Sequence, residues 1–226
     1  MPADFESLAA RRRSVRAYLD KPVDRETVEA LLRIARQAPS GANLQPGRFH
    51  ALAGAPLERL KAVLAEAQAA GVPEVREYSW FPDPMPPELK ARQRAAGYAL
   101  YEALGIARRD VAGRRAQFAR NYAFFDAPVG IVVTIDREMG KGGFMDLGMA
   151  LMSFLLAAED RGLGATGIGA LANYGPRVAA HLGLPEGEMV VCGLALGWPD
   201  EAARATRVQT AREPLEGFAR FEGFEG

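Results

Sequence analysis

The chain has 226 residues with 28 basic and 28 acidic side chains, so its formal charge is zero. That balance argues against a nucleic-acid binder, which carries a clear basic excess. One cysteine excludes an intramolecular disulfide, and with only two histidines, His50 and His181, a structural zinc site is not expected.

The opening stretch 1-MPADFESLAARRR lacks the apolar core of a signal peptide. The longest apolar run, 147-LGMALMSFLLAA-158, is shorter than a bilayer span. A cytoplasmic protein without membrane attachment is expected.

Segment 11-RRRSVRAY-18 holds four arginines within six positions. In an extended chain Arg12, Ser14 and Arg16 point one way, and Arg13, Val15 and Ala17 the other. Two guanidinium groups and a hydroxyl on one face form a phosphate clamp, because the planar fork of arginine matches phosphate oxygens. An ordinary solvated charge run is the alternative.

Asp24 is placed to cap a helix over 25–38, with Val28, Leu31, Leu32 and Ala35 on one face and Pro39-Ser40-Gly41 ending it. The following 39-PSGANLQP-46 is rich in turn formers, and its amides, Asn43 and Gln45, offer both donors and acceptors. A weak strand over 48–54 and an amphipathic helix over 57–70 come next. Segment 72–90 carries five prolines and three aromatics, which suits either a binding lid or a surface excursion packed back on the core. Within it, Arg76 stands ready to attract an anionic substrate or to pair with Glu74 and Glu77.

Two helical pieces broken near Gly105 are predicted over 88–120. The β-branched run 127-APVGIVVTID-136 reads as a buried strand. Segment 144–160, apolar on nearly all faces, reads as the central buried helix. A strand over 188–197 contains Cys192 as inert core.

Between these lies 162-GLGATGIGA-170, whose Gly162, Gly164 and Gly167 match the dinucleotide spacing G-x-G-x-x-G. That fingerprint requires a strand before the glycines and a helix after them. Here a helix precedes, so a Rossmann site is not expected. A C-cap at Gly162 leading into a short strand accounts for the first glycine. The others let bare main chain approach a flat ligand closely.

In order, 12-RRSVRAYLDKPV-23, 38-APSGANLQP-46, 126-DAPVGIVVTID-136, 157-AAEDRGLGATGIGA-170, 181-HLGLPEGEMVVCGLALGWPD-200 and 210-TAREPLEGFARF-221 resemble the FMN-dependent nitroreductase family. Segments 78-YSWFPDPMPPEL-89 and 120-RNYAFFDAPVG-130 resemble its nitrobenzoate-reducing branch.

The resemblance implies one α+β domain over 1–226, with a mostly antiparallel central sheet flanked by helices. A lid-like insertion over about 72–105 and a dimer-wrapping tail over about 199–226 would complete it. It implies an intertwined homodimer with two shared active sites. Arg12, Arg13, Ser14, Arg16 and Arg212 would hold the FMN phosphate and ribityl chain. Pro39, Ser40, Gly41, Asn43 and Gln45 of the second copy would line the flavin. Gly167, Ile168, Gly169 and Ala170 would run along its ring, with a main-chain N–H near Gly169 aimed at N5. Tyr78, Trp80, Phe81, Tyr98, Tyr101 and Phe124 are candidates for the substrate pocket, Phe124 and Phe125 also fitting a dimer core.

The implied activity is NAD(P)H-driven, ping-pong reduction of nitroaromatic or quinone-like compounds, with no catalytic side chain required. The same scaffold hosts ene-reductases, dehydrogenating oxidases, dehalogenases and flavin-fragmenting enzymes, and a non-catalytic flavin-binding dimer fits the same motifs. Three departures stand out. Gly47 and Arg48 follow the Gln-Pro pair where the family usually has Trp. Gly167 and Ile168 occupy positions of Pro and Gln, and Gln209 stands where a basic residue is frequent.

Overall fold

Strands β2 (Val129–Asp136) and β4 (Glu188–Gly197) are buried along almost their whole length. Such continuous burial means that both faces of the sheet are covered. In this computed structural model, which describes residues 4–75 and 77–224, they form the centre of a four-stranded antiparallel sheet. The order is β1 (Arg48–Ala53), β2, β4, β3 (Gly164–Ile168).

Side chains of the central strands alternate between two cores. Ile131, Val133 and Ile135 face helices α2 (Arg25–Ala35) and α6 (Lys141–Asp160), joining Leu31, Leu147 and Phe154. Val132 and Ala195 face the other side, where α3 (Ala55–Ala69) and α7 (Gly175–Leu182) contribute Leu57, Leu60, Leu64 and Val178. Asp24 caps α2 as its sequence position predicts, its carboxylate accepting from the Thr27 N–H at 2.7 Å. The helical segment broken near Gly105 is α4 (Pro87–Ala103) and α5 (Val111–Ala119), with Gly105 at φ +71°.

The central helix differs from the expectation of all-round burial. Its sequence is apolar enough for a membrane span by length and composition, with mean hydropathy 1.3. One face packs on α2 and β3, while Met145, Met149 and Met152 are 71 %, 40 % and 41 % exposed. These three recur at helical spacing and leave an apolar stripe open on the single chain.

Before the sheet, α1 (Phe5–Arg11) leads into a segment that runs alongside it. Ser14 bridges Ala165 in parallel, and the Leu19 N–H donates to the Trp198 carbonyl at 2.9 Å. Val15 is the inward anchor, 1 % exposed. It fits because Gly164 has no side chain: a Cβ there would stand 2.6 Å from Val15 Cγ2. Gly162, at φ +70°, ends α6 and turns the chain into β3.

Candidate functional site

The arginines of the N-terminal segment surround a cavity of about 350 Å³. Arg12, Arg13, Ser14 and Arg16 line one side, Ala96, Gly97 and Leu100 of α4 a second, and Gln209, Thr210 and Arg212 of the tail a third. Arg212, 200 positions from Arg12, thus stands over the same space. Its Nη1 donates to the Thr210 carbonyl at 2.8 Å and to Thr210 Oγ1 at 2.6 Å.

Arg13, placed on the opposite side by strict alternation, also reaches the cavity. Its Nη2 donates to both carboxylate oxygens of Glu201 at 2.5 Å. Its buried Nε has no partner. Arg16 donates to the Ser14 carbonyl at 3.2 Å, and burial pulls its pKa below the ordinary value, with Tyr18 opposing. Among the described residues, Arg12, Arg16 and Arg212 pair with no carboxylate. Arg16, which burial takes from water without an acid beside it, favours an anion there.

Ser40, Gly41, Asn43 and Gln45 form an exposed, sharply folded loop. Ala42, Asn43 and Gln45 hold φ values of +49°, +57° and +50°. Two side chains explain how these survive. Ser40 Oγ accepts from the Gln45 N–H at 2.8 Å, and Asp146 on α6 accepts from the Gly41 N–H at 3.0 Å. Arg36 completes the tie, donating to the carbonyls of Gln45 at 2.6 Å and Gly47 at 2.7 Å. Pro39 is exposed at the loop's start. Gly47, at φ +89°, has no space for bulk, since a Cβ would meet Leu147 Cδ1 at 2.5 Å. Arg48 turns toward Glu188, Nε to Oε1 at 3.6 Å, and Thr134 donates to the same carboxylate at 2.7 Å.

One chain does not join this loop to the arginine cavity. The loop is anchored at Asp146, whereas α1 meets α6 near its far end, Arg11 to Glu159 at 3.7 Å. Thirteen residues of helix separate the two anchors, about 20 Å.

The glycine stretch presents bare main chain. Gly167 is exposed, and a Cβ there would meet nothing within 4 Å. Ile168 is 1 % exposed, its side chain in the core, so only its backbone is on offer. Ala170 is half-buried. Over Gly169 lies Trp80, whose Cε2 and Cζ2 are 3.0 Å from the position of a Cβ.

The segment carrying Trp80 is tied down. The Tyr78 hydroxyl donates to the Val191 carbonyl, and its ring packs 5.6 Å from Phe144 and 5.7 Å from Trp80. Glu77 pairs with Arg137 at 2.5 Å. Arg76 lies outside the described residues. Trp80 and Phe81 are 54 % and 56 % exposed. Tyr98 and Tyr101 are half-buried on α4, Tyr98 lying under the Arg108 guanidinium at 4.6 Å.

Phe124 is a correction. Rather than walling a pocket, it is fully buried in the core of the chain. Gly130 and Gly193, on adjacent strands, receive its ring, since a Cβ at either would stand 2.9 to 3.1 Å from it.

Sequence reading did not find Arg36, Asp146 and Glu201. Each acts on a partner distant in the chain or on a main-chain carbonyl, and neither leaves a spacing pattern.

Residues 9–198 match the nitroreductase family. The chain is 37 % identical over 219 residues to chloronitrobenzene nitroreductase of Comamonas testosteroni, covering 96 % of each protein. It is 35 % identical over 222 residues to 4-nitrobenzoate reductase of Pseudomonas putida, covering 98 % of this chain and 97 % of that one. Its fold is similar to the crystal structure of the FMN- and NADPH-dependent nitroreductase NfnB from Sphigopyxis sp. strain HMH. The TM-score is 0.95 at 37 % identity, covering 98 % of this chain and 100 % of that one. The fold and the similarities define an α+β oxidoreductase scaffold. The chain belongs to the nitroreductase family.

Proposed function

We propose that this chain is an FMN-dependent NAD(P)H oxidoreductase that reduces nitroaromatic or quinone-like compounds, working as a homodimer with two shared sites. Relatives matched over 96 % and 98 % of the chain are named for reducing chloronitrobenzene and 4-nitrobenzoate. The observation that carries the cofactor is the cavity itself. Three guanidinium groups without acid partners, Arg12, Arg16 and Arg212, face one space with Ser14. Such a donor set fits a phosphate.

The bare backbone over 167–170 continues from the segment Ser14 bridges at Ala165, and fits a flat ring system lying along it. Bound FMN supplies the hydride chemistry, and the protein binds, orients and shields it. Arg12, Ser14, Arg16 and Arg212 fix the phosphate, Arg13 being shared with Glu201. Main-chain N–H groups along 167–170 that β4 does not take are the donors available to the ring edge, so the site needs no side-chain acid or base. Trp80, over Gly169, closes one side against water, and Phe81, Tyr98 and Tyr101 bound the approach.

The dimer is supported by what one chain leaves unfinished. The Pro39–Gln45 loop is anchored about 20 Å along α6 from the arginine end, and the Met145, Met149 and Met152 stripe lies open between. A two-fold pairing along α6 covers the stripe and brings each loop to the other copy's cavity. Phe218, Phe221 and Phe224 in the tail, 69 %, 63 % and 79 % exposed, find a surface in the same pairing. The lone buried Cys192 suits the cytoplasm.

The purified protein is expected to be yellow and to bind one FMN per chain. A colourless protein that cannot be reconstituted with FMN overturns the reading. Stopped-flow mixing with NADH and NADPH then tests the reductase reading, which fails if neither donor reduces the flavin.

A further inference from the structure

The chain as a whole is neutral, yet residues 87–120 carry eight basic side chains against three acidic ones. Some of these charges are spoken for. Arg92 pairs with Glu213 at 2.5 Å and Arg120 with Asp126 at 3.4 Å. Asp110 is engaged in capping α5, accepting from the Gly113 N–H at 2.8 Å. Arg94 and Arg108 are exposed, and among the described residues neither has a carboxylate partner.

Both stand near one aromatic ring, Tyr98, Arg108 by contact and Arg94 by helical spacing. The Arg108 guanidinium lies 4.6 Å from the centroid of Tyr98. Arg94 is one helical turn before Tyr98 on α4, so the two side chains are neighbours on one face. Glu102, the acid one turn beyond Tyr98, is bonded to neither arginine. The face adjoins the wall formed by Ala96, Gly97 and Leu100, which closes the arginine cavity.

Two unpaired guanidinium groups beside a half-buried ring suit an adenosine carrying a phosphate, since each fork offers paired donors and a planar cation stacks on a flat base. The site is separate from Arg12, Arg16 and Arg212, which an FMN phosphate would occupy. We propose that Arg94 and Arg108, beside Tyr98, bind the 2′-phosphate of NADPH and so select it over NADH. The inference rests on the reductase reading above. It adds the donor's selectivity and the residues that set it.

The test uses the flavin-loaded enzyme and its R94Q, R108Q and double variants. The probe is adenosine 2′,5′-bisphosphate, titrated by calorimetry beside 5′-AMP. Wild type is expected to bind the bisphosphate more tightly than 5′-AMP, each substitution weakening it by about tenfold, the scale of one charge-assisted hydrogen bond. In parallel, kcat/KM for NADPH should fall by a similar factor while that for NADH stays level. Equal binding of the two nucleotides by wild type overturns the proposal. So does unchanged bisphosphate binding in the double variant, or equal loss with both donors. A protein that takes up no flavin, or is reduced by neither donor, sinks the reductase reading instead, and the titration still decides this site.

Discussion

The indole of Trp80 covers the backbone of Gly169, 3.0 Å from where a side chain would begin. More than half of the residue stays open to solvent. Its ring therefore has a face for a flat acceptor as well as one for the main chain. Trp80→Ala should raise KM for a nitroarene about fivefold, the scale of one lost aromatic stacking contact. FMN content should change far less than KM, because the residues that line the phosphate cavity lie on other segments. Steady-state kinetics with the flavin absorbance of each preparation check both statements, and an unchanged KM removes Trp80 from the pocket.

Gly164 has a purely steric task. An alanine there would push its Cβ against Val15 at 2.6 to 2.9 Å, on a segment held to β3 by one bridge. Gly164→Ala should cost about 1–3 kcal/mol, as overpacking does. It should also weaken FMN binding by displacing Ser14 and Arg16. Gly167→Ala meets open space and should leave stability nearly unchanged. Urea unfolding of both variants checks the contrast.

Arg36 lies outside the cavity, yet holds the carbonyls of Gln45 and Gly47. Removing it frees a loop with three non-glycine residues in left-handed conformations, each strained without support. Arg36→Met should weaken FMN binding at least about tenfold, on the scale of the charged hydrogen bonds lost. Fluorescence titration of the apoprotein with FMN measures it. Unchanged affinity would mean that the loop does not reach the flavin.

These residues show where the sequence was readable. The buried run at Val129–Asp136 and the Asp24 cap rest on local rules, apolar continuity and a capping side chain, and both hold in the fold. The arginine cluster was legible because residue type and spacing alone put Arg12, Ser14 and Arg16 on one side. Arg36 was not, because its partners are main-chain carbonyls, which every sequence has. The open methionine stripe on α6 was missed for a different reason. A helix apolar all round gives no periodicity to tell the side facing the sheet from the side facing another surface. Phe124 was misplaced because its burial depends on Gly130 and Gly193, two glycines on neighbouring strands whose register the sequence does not display.

Alkaline stability follows from Cys192. Burial pushes its thiol up to about 12. In the unfolded chain a thiol ionises near about 8.5, so above that pH only the unfolded state gives up the proton. This contribution is fully present below about pH 8.5 and falls as pH rises, by at most about 1.4 kcal/mol per pH unit. Tyr122, pushed up to about 12 by burial, adds a loss of the same sign at higher pH. Cys192→Ala should make the decline between about pH 8.5 and about pH 10 shallower than in wild type. Unfolding titrations across that range check it, and parallel slopes for the two proteins would contradict it.

The central claim is that arginines of one copy and the Pro39–Gln45 loop of the other meet on a single flavin. Co-expression of two damaged chains tests it most directly. One carries Arg12→Gln with Arg16→Gln, and the other carries Ser40→Ala with Asn43→Ala and Gln45→Ala. In a shared-site heterodimer one site collects every defect and the other is intact. The account predicts one tightly bound FMN per purified heterodimer, while each variant homodimer binds weakly. A heterodimer with no tight site, as expected when each chain builds its site alone, would contradict it.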